Sequence, residues 1–251
     1  MSGKAFFIDT TRCTACRGCQ IACKQWNRLP ATETENRGSY QNPEDLNFST
    51  YKLVRFQEHE GKNGKPVWYF FPDQCRHCVE PPCKEMGDSA APGGIVIDGH
   101  TGAVLYTDHL RKADPEEIRN SCPFDIPRAR EGTGYIAKCT MCVDRVHNGL
   151  LPACVKVCPT GTMNFGDRDA MAELARERLA EVKKEHSKAR VTGLEDLRVF
   201  FLLTDEPDRY HLFAAVDAAR PGLDRKAALR RIARSLGELS REARFLRAMS
   251  G

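Results

Sequence analysis

Cys13-Thr14-Ala15-Cys16-Arg17-Gly18-Cys19-Gln20-Ile21-Ala22-Cys23 carries four cysteines in the spacing Cys-x2-Cys-x2-Cys-x3-Cys. Three thiolates on one tight loop cap three irons of a single [4Fe–4S] cage. The fourth, at the start of the next turn, points away and ligates a different cage. Such a run needs a partner, and Cys139, Cys142, Cys154 and Cys158 supply it, with the same two-residue opening and three-residue close. Paired crosswise, Cys13, Cys16 and Cys19 complete a cage with Cys158. Cys139, Cys142 and Cys154 complete one with Cys23.

Cys75, Cys78, Cys83 and the distant Cys122 remain. In a second crosswise pair, the ligand expected after Cys83 falls on Gly87. Counting back from Cys122 by the offsets of the first run gives Lys112, Pro115 and Ile118. Those four positions make one complete missing set. The economical reading is a four-cluster ancestor that lost one cage, with a third cage held by Cys75, Cys78, Cys83 and Cys122. All 12 cysteines are then used, four per cluster.

Two other uses of cysteine compete. A disulfide framework suits short secreted chains that cannot bury a core, whereas 251 residues can build one unaided. Structural zinc takes two ligands from each of two separated Cys-x2-Cys knuckles. The three-fold run of Cys13, Cys16 and Cys19 fits that poorly, and iron and acid-labile sulfide content would separate the cases. The formal charge of +4 invites a nucleic-acid reading that the clusters remove. Each oxidised cage with its four thiolates carries about −2, so three bring the loaded chain to about −2. Arg12, Arg17, Lys24, Arg76, Lys84, Lys138 and Arg145 flank the ligands and read as compensation for that charge.

An apolar segment precedes each run: Ala5–Ile8, Val67–Phe71, Ala103–Tyr106 and Tyr135–Ala137. Four strand-then-cysteine units form an internal repeat. The expected fold class is α+β, with two ferredoxin-like units, each a duplicated two-cluster module, and a C-terminal helical extension. Residues 1–65 with 139–168 form the first unit and hold two clusters. Residues 66–138 form the second, with one cluster kept and one lost, and 169–251 form the extension. Pro123 and Pro159 are expected at the first helical position after Cys122 and Cys158.

Residues 28–50 read as a long polar surface excursion, 57–66 as a hairpin loop and Asp98–Gly102 as a turn. Asp169–Lys188 is expected as an amphipathic helix with Met171, Leu174, Ala175, Leu179 and Val182 on its apolar side. Val199–Leu203 is a buried strand, and Asp224–Met249 a basic helix with an apolar stripe. His77 reads as a surface imidazole and Trp26 as a hydrophobe shielding a cluster. No apolar run is long enough for a membrane span, and no signal peptide is visible.

The stretch Phe6–Asn27 resembles the opening of the iron–sulfur (beta) subunits of formate dehydrogenases. Asn120–Arg128, Lys138–Arg145 and Pro152–Gly161 resemble later blocks of that family, which extends to the electron-transfer subunits of dimethyl sulfoxide, polysulfide and thiosulfate reductases. Membrane-bound members have four clusters and a C-terminal membrane helix. With Gly87, Lys112, Pro115 and Ile118 in place of one ligand set, this chain is more similar to the soluble periplasmic enzymes.

The resemblance implies a non-catalytic subunit carrying electrons between a large subunit and an external acceptor, such as a multihaem cytochrome c. The large subunit would hold molybdenum or tungsten on two pyranopterin guanine dinucleotides, with one further [4Fe–4S] cluster. Export would follow the large subunit's twin-arginine signal, giving a periplasmic location; a cytoplasmic one stays open. The first-run pair of clusters is expected nearest the large subunit. A reductase of sulfur compounds remains the alternative partner.

Overall fold

The computed structural model describes residues 2–61 and 64–215. In chain order the elements are β1 (Lys4–Asp9), α1 (Gly18–Trp26), β2 (Leu53–Glu60), β3 (Pro66–Asp73), α2 (Pro82–Ala90), β4 (Ile95–Ile97), β5 (Val104–Tyr106) and α3 (Pro115–Asn120). There follow β6 (Arg128–Arg130), β7 (Tyr135–Ala137), α4 (Val143–His147), α5 (Ala153–Lys156), β8 (Met163–Asp167), α6 (Arg168–Val182), β9 (Arg190–Thr192) and β10 (Val199–Leu203). The four apolar segments named from sequence all lie in strands: β1, β3, β5 and β7.

The main sheet has the order β8-β1-β10-β9, with β1 parallel to β10 and antiparallel to β8. Both faces are covered, so the two central strands are almost continuously apolar. Alternation along β1 and β10 sends Ala5, Phe7, Phe200 and Leu202 to one face, where Ala172, Ala175 and Val182 of α6 pack on them. Phe6, Ile8, Val199 and Phe201 face the other way, into a core shared with Cys19, Cys154, Met141 and Phe71. The sheet therefore separates the α6 layer from the layer that carries the cysteines.

This topology revises the expected domain layout. Residues 169–215 are no appendage, because α6 and β10 are built into the sheet that begins with β1. The described residues up to Ala215 form one compact unit. The parallel pairing of β1 with β10 joins positions more than 190 residues apart (Phe6 with Val199), which no local spacing reveals. The expected helix over Asp224–Met249 lies outside the described residues.

Three further expectations change. Gln57–Glu60 continue β2 and pair with Tyr69, Trp68, Val67 and Pro66 of β3. This polar stretch is an exposed ribbon braced by Trp68 Nε1–H donating to Glu58 Oε1 and by His59 against Tyr69. The excursion at 28–50 is anchored over its second half. Gln20 Nε2 donates to Asn42 O, Lys24 Nζ donates to Ser49 O, and Leu46 and Tyr51 are buried beside Cys23 and Cys139.

Pro123 and Pro159 open no helix. Instead, α3 and α5 each end two residues before the closing cysteine, and turns follow Cys122 and Cys158. Backbone N–H groups of those turns reach back to the sulfurs, which a continuing helix would forbid.

An alternating chain of ion pairs binds the pieces together. Asp73 accepts from Arg76 Nη1 and from Arg55 Nε, each at 2.7 Å. Arg55 also reaches Asp45 at 2.7 Å, and Asp45 accepts from Arg128 at 2.5 Å. Arg128 and Arg119 share Asp125 at 3.0 and 2.6 Å. The chain runs from the fully buried Asp73 to the surface, and it ties the excursion to the β2–β3 hairpin and to the turn after Cys122.

Of the positions missing from the fourth ligand set, Gly87 and Ile118 lie at an aliphatic plug, while Lys112 is exposed. Leu110, Ile118, Ile95, Val104 and Ile136 are buried together beside Cys83. A Cβ on Gly87 would stand 2.7 Å from Ile95 Cδ1 and 3.3 Å from Leu110 Cδ1. Leu110→Ala should cost about 2–5 kcal/mol through the cavity it leaves. Denaturant unfolding should show that loss with the iron content unchanged.

Candidate metal centre

All twelve cysteines are free thiols. Cys13, Cys16, Cys19 and Cys158 line one hollow, with Val54, Pro72 and Thr160. Cys75, Cys78, Cys83 and Cys122 line another, walled by Pro81, Phe124, Tyr106 and Lys138. Cys23 lies within electrostatic reach of Cys139, Cys154 and Cys142. Two of the sets named from sequence thus each share one hollow, and the remaining four cysteines lie within electrostatic reach of one another, Cys139 also feeling Cys75. The first and third sets line hollows rather than closing on one point, and a cage with irons at its corners calls for that wider ring.

One local geometry repeats at the Cys-x2-Cys loops that open with Cys13, Cys75 and Cys139. The residue before the second cysteine is left-handed although none is glycine: Ala15 (φ 54°), His77 (φ 46°) and Met141 (φ 60°). The same residue donates its N–H to the first cysteine of its loop. His77 reaches Cys75 Sγ at 3.4 Å, Met141 reaches Cys139 Sγ at 3.4 Å, and Ala15 reaches Cys13. A non-glycine residue rarely adopts this backbone unless its surroundings hold it there, and such residues gather at functional sites. Aimed N–H groups suit a sulfur that carries negative charge.

The electrostatics fit a site awaiting a multivalent group. Burial pushes the thiol of Cys13 up to about 11, and those of Cys122 and Cys139 to about 12. Cys23, in the second set, is pushed well up by burial and then by its three neighbours. Cys158 runs the other way. Burial would raise it, but the N–H groups of Met163, Thr160 and Thr162 and the Thr160 hydroxyl together bring it below its ordinary value. Twelve soft sulfurs with buried, N–H-lined walls match what iron–sulfur cages require, and bonding to iron would supply the charge balance that burial otherwise opposes.

The flanking cations divide. Arg76 is buried among the rings of Phe71, Phe124 and Phe201 at 4.9–5.3 Å, and Lys138 is buried beside the third hollow. The others mainly brace the fold. Arg17 donates to Tyr40 O, Lys84 to Asp88 and Ile95 O, and Arg145 to Leu151 O, while the exposed Arg12 pairs with Asp9.

Lys52, which the sequence reading passed over, is 1% exposed. Its one local signal is a lone lysine leading into the apolar Leu53-Val54.

Two aromatic expectations are corrected. His77 is fully buried, with Nδ1 accepting from Val104 N–H at 3.1 Å. Burial, helped by the charges of Lys138 and Arg198, pushes its pKa well below the usual imidazole value. The left-handed turn swings it inward, which its place between Cys75 and Cys78 does not announce. Trp26 is 43% exposed and ties α1 to α4 through Asp144 (2.8 Å) and the Arg145 guanidinium (4.1 Å).

Residues 66–168 match the family described as a 4Fe-4S dicluster domain. Over 214 residues the chain is 52% identical to formate dehydrogenase 2 subunit beta (cytochrome c-553) of Nitratidesulfovibrio vulgaris, covering 84% of this chain and 98% of that one. It is 53% identical over 212 residues to the formate dehydrogenase subunit beta of Megalodesulfovibrio gigas, with the same shares. Against a subunit of the anaerobic dimethyl sulfoxide reductase of Escherichia coli the identity is 30% over 207 residues, covering 75% of this chain and 91% of that one.

Proposed function

The chain belongs to the iron–sulfur (beta) subunits of formate dehydrogenases, and from that premise we propose the route its electrons take. Its role is electron transfer, and catalysis lies with the large subunit. In our reading three [4Fe–4S] clusters occupy the three cysteine sets, in two duplicated ferredoxin-like units. The pairing of α1 with α5 in one and of α2 with α3 in the other supports that division.

When bound, each cluster stores and releases one electron. The chain's own residues fix the spacing, keep water out and hold charge near the sulfurs. The large subunit would carry molybdenum or tungsten on two pyranopterin guanine dinucleotides and one further [4Fe–4S] cluster. The external acceptor would be a c-type cytochrome, in keeping with the name of one relative. A periplasmic location accords with that acceptor. Among the described residues, no helix is long and apolar enough to cross a membrane.

The observation that supports this reading is that eight sulfurs line two hollows, four in each, while Cys23 lies within electrostatic reach of Cys139, Cys142 and Cys154. The large subunit docks, in our reading, at the first ring. Cys16 is exposed there, and Ile21 and Val157 stand exposed near it. The higher identity to formate dehydrogenase subunits favours formate over a sulfur compound as the donor. Formate added anaerobically to the purified complex should reduce all three clusters of this chain, and a c-type cytochrome should reoxidise them. Clusters that stay oxidised under formate, in a complex whose large subunit is loaded, would defeat the reading.

A further inference from the structure

Two buried lysines each lie within electrostatic reach of two cysteine sets. Lys52 is 1% and Lys138 6% exposed, and among the described residues neither pairs with a carboxylate. Lys52 Nζ donates to Gln74 Oε1 at 2.6 Å and to Pro72 O at 3.3 Å, and Pro72 lines the first hollow. The residue after it, Leu53, packs with Cys23 and Cys139 of the second ring. Val54 packs with Cys19 of the first and Cys154 of the second. The Lys52 ammonium opposes the effect of burial on Cys13 and Cys19 and likewise on Cys23 and Cys154. It therefore lies within reach of both rings.

Lys138 repeats the arrangement one gap further on. It precedes Cys139 of the second ring in sequence, yet its side chain lines the third hollow. Its Nζ donates to Val104 O at 2.5 Å and to Cys139 O at 3.2 Å, and lies 4.5 Å above the Tyr106 ring. Its charge favours the thiolates of both Cys83 and Cys139. Neutral acceptors alone are poor compensation for a buried ammonium, and an anionic group on each side supplies the rest.

We propose that Lys52 and Lys138 are junction charges, each set between two neighbouring clusters and raising the reduction potentials of both together. The proposal rests on the three-cluster reading. At each junction one electron leaves a reduced cluster and enters its oxidised neighbour; no bond and no proton changes hands. A positive charge shared by donor and acceptor favours the electron on either side, so the step stays close to level. With one such residue per gap, the second cluster takes the shift of both and the first and third of one each.

The test is an EPR-monitored redox titration of the holo complex, with the third cluster identified by its loss in Cys122→Ala. Lys52→Met should lower the midpoints of the first and second clusters and leave the third in place. At the wild-type midpoint the reduced-to-oxidised ratio of each affected cluster should fall about tenfold, or about 59 mV for one electron. Lys138→Met should lower the second and third and spare the first. Lys52→Arg and Lys138→Arg should hold all three near wild type.

A cluster lost in a Met variant but kept in the matching Arg variant supports the role of charge. Loss in both variants overturns the proposal, because shape would then be what the site needs. So does a ratio within threefold of wild type, or an equal shift of all three clusters. A wild-type complex without three cubane signals beyond the one assigned to the large subunit would instead overturn the three-cluster reading, before any variant is compared.

Discussion

Cys122→Ala should remove one cluster and leave two. Its thiol shares a hollow with Cys75, Cys78 and Cys83 and with no cysteine of the other sets. The N–H groups of Ile126 and Phe124 are aimed at it. Iron in this chain should fall by about a third, from about twelve atoms to about eight, and one cubane signal should vanish from the EPR spectrum of the reduced complex. Formate oxidation with a dye that takes electrons from the large subunit should persist, while reduction of a cytochrome by the full path should collapse. Loss of two clusters at once would mean that Cys122 belongs to a different set.

Asp73→Ala should be the most damaging change outside the cysteines. Asp73 is fully buried between the guanidinium groups of Arg76 and Arg55. Removing it strips the buried Arg76 of the carboxylate it faces and leaves Arg55 with Asp45 alone, at a cost of about 3–5 kcal/mol. Domains of this size are stable by only about 5–15 kcal/mol, so the midpoint of denaturant unfolding should drop steeply. An exposed pair such as Arg176 with Glu173 should show no comparable loss when broken, because water screens it.

The effect has a pH signature. Burial alone would push the Asp73 carboxyl up, but the charges of Arg76 and Arg55 outweigh it and hold its pKa below the usual value of 3.8. Its contribution is therefore complete at neutral pH and is lost as pH falls through that depressed value. Asp73→Asn and the parent should differ most near pH 7, and the gap should narrow in acid.

Much of the candidate site was legible because cysteine spacing is a local code. Cys-x2-Cys fixes a loop whatever surrounds it, and the counting that paired Cys122 with Cys75, Cys78 and Cys83 needed no fold. The same counting pointed to Gly87 and Ile118, which the structure surrounds with aliphatic side chains. What stayed hidden depends on distant contacts. Lys52 looks like any surface lysine until Gln74 and Pro72 close over it, and His77 looks exposed until its left-handed backbone turns it inward. The pairing of β1 with β10, and with it the place of residues 169–203, rests on side chains meeting across nearly the whole chain.

The aliphatic filling around Leu110, Ile95 and Ile118 acts as an insulating end-stop. A greasy, low-polarity block cannot host a charge carrier, so on the three-cluster reading the current has no inward continuation beyond the ring at Cys75, Cys78, Cys83 and Cys122. The terminal has to be read from outside the protein, and whatever collects the charge must come to the outer side of that ring, where Pro82 is exposed and Cys78, Cys122 and Pro123 are half-buried, rather than be wired in through the interior.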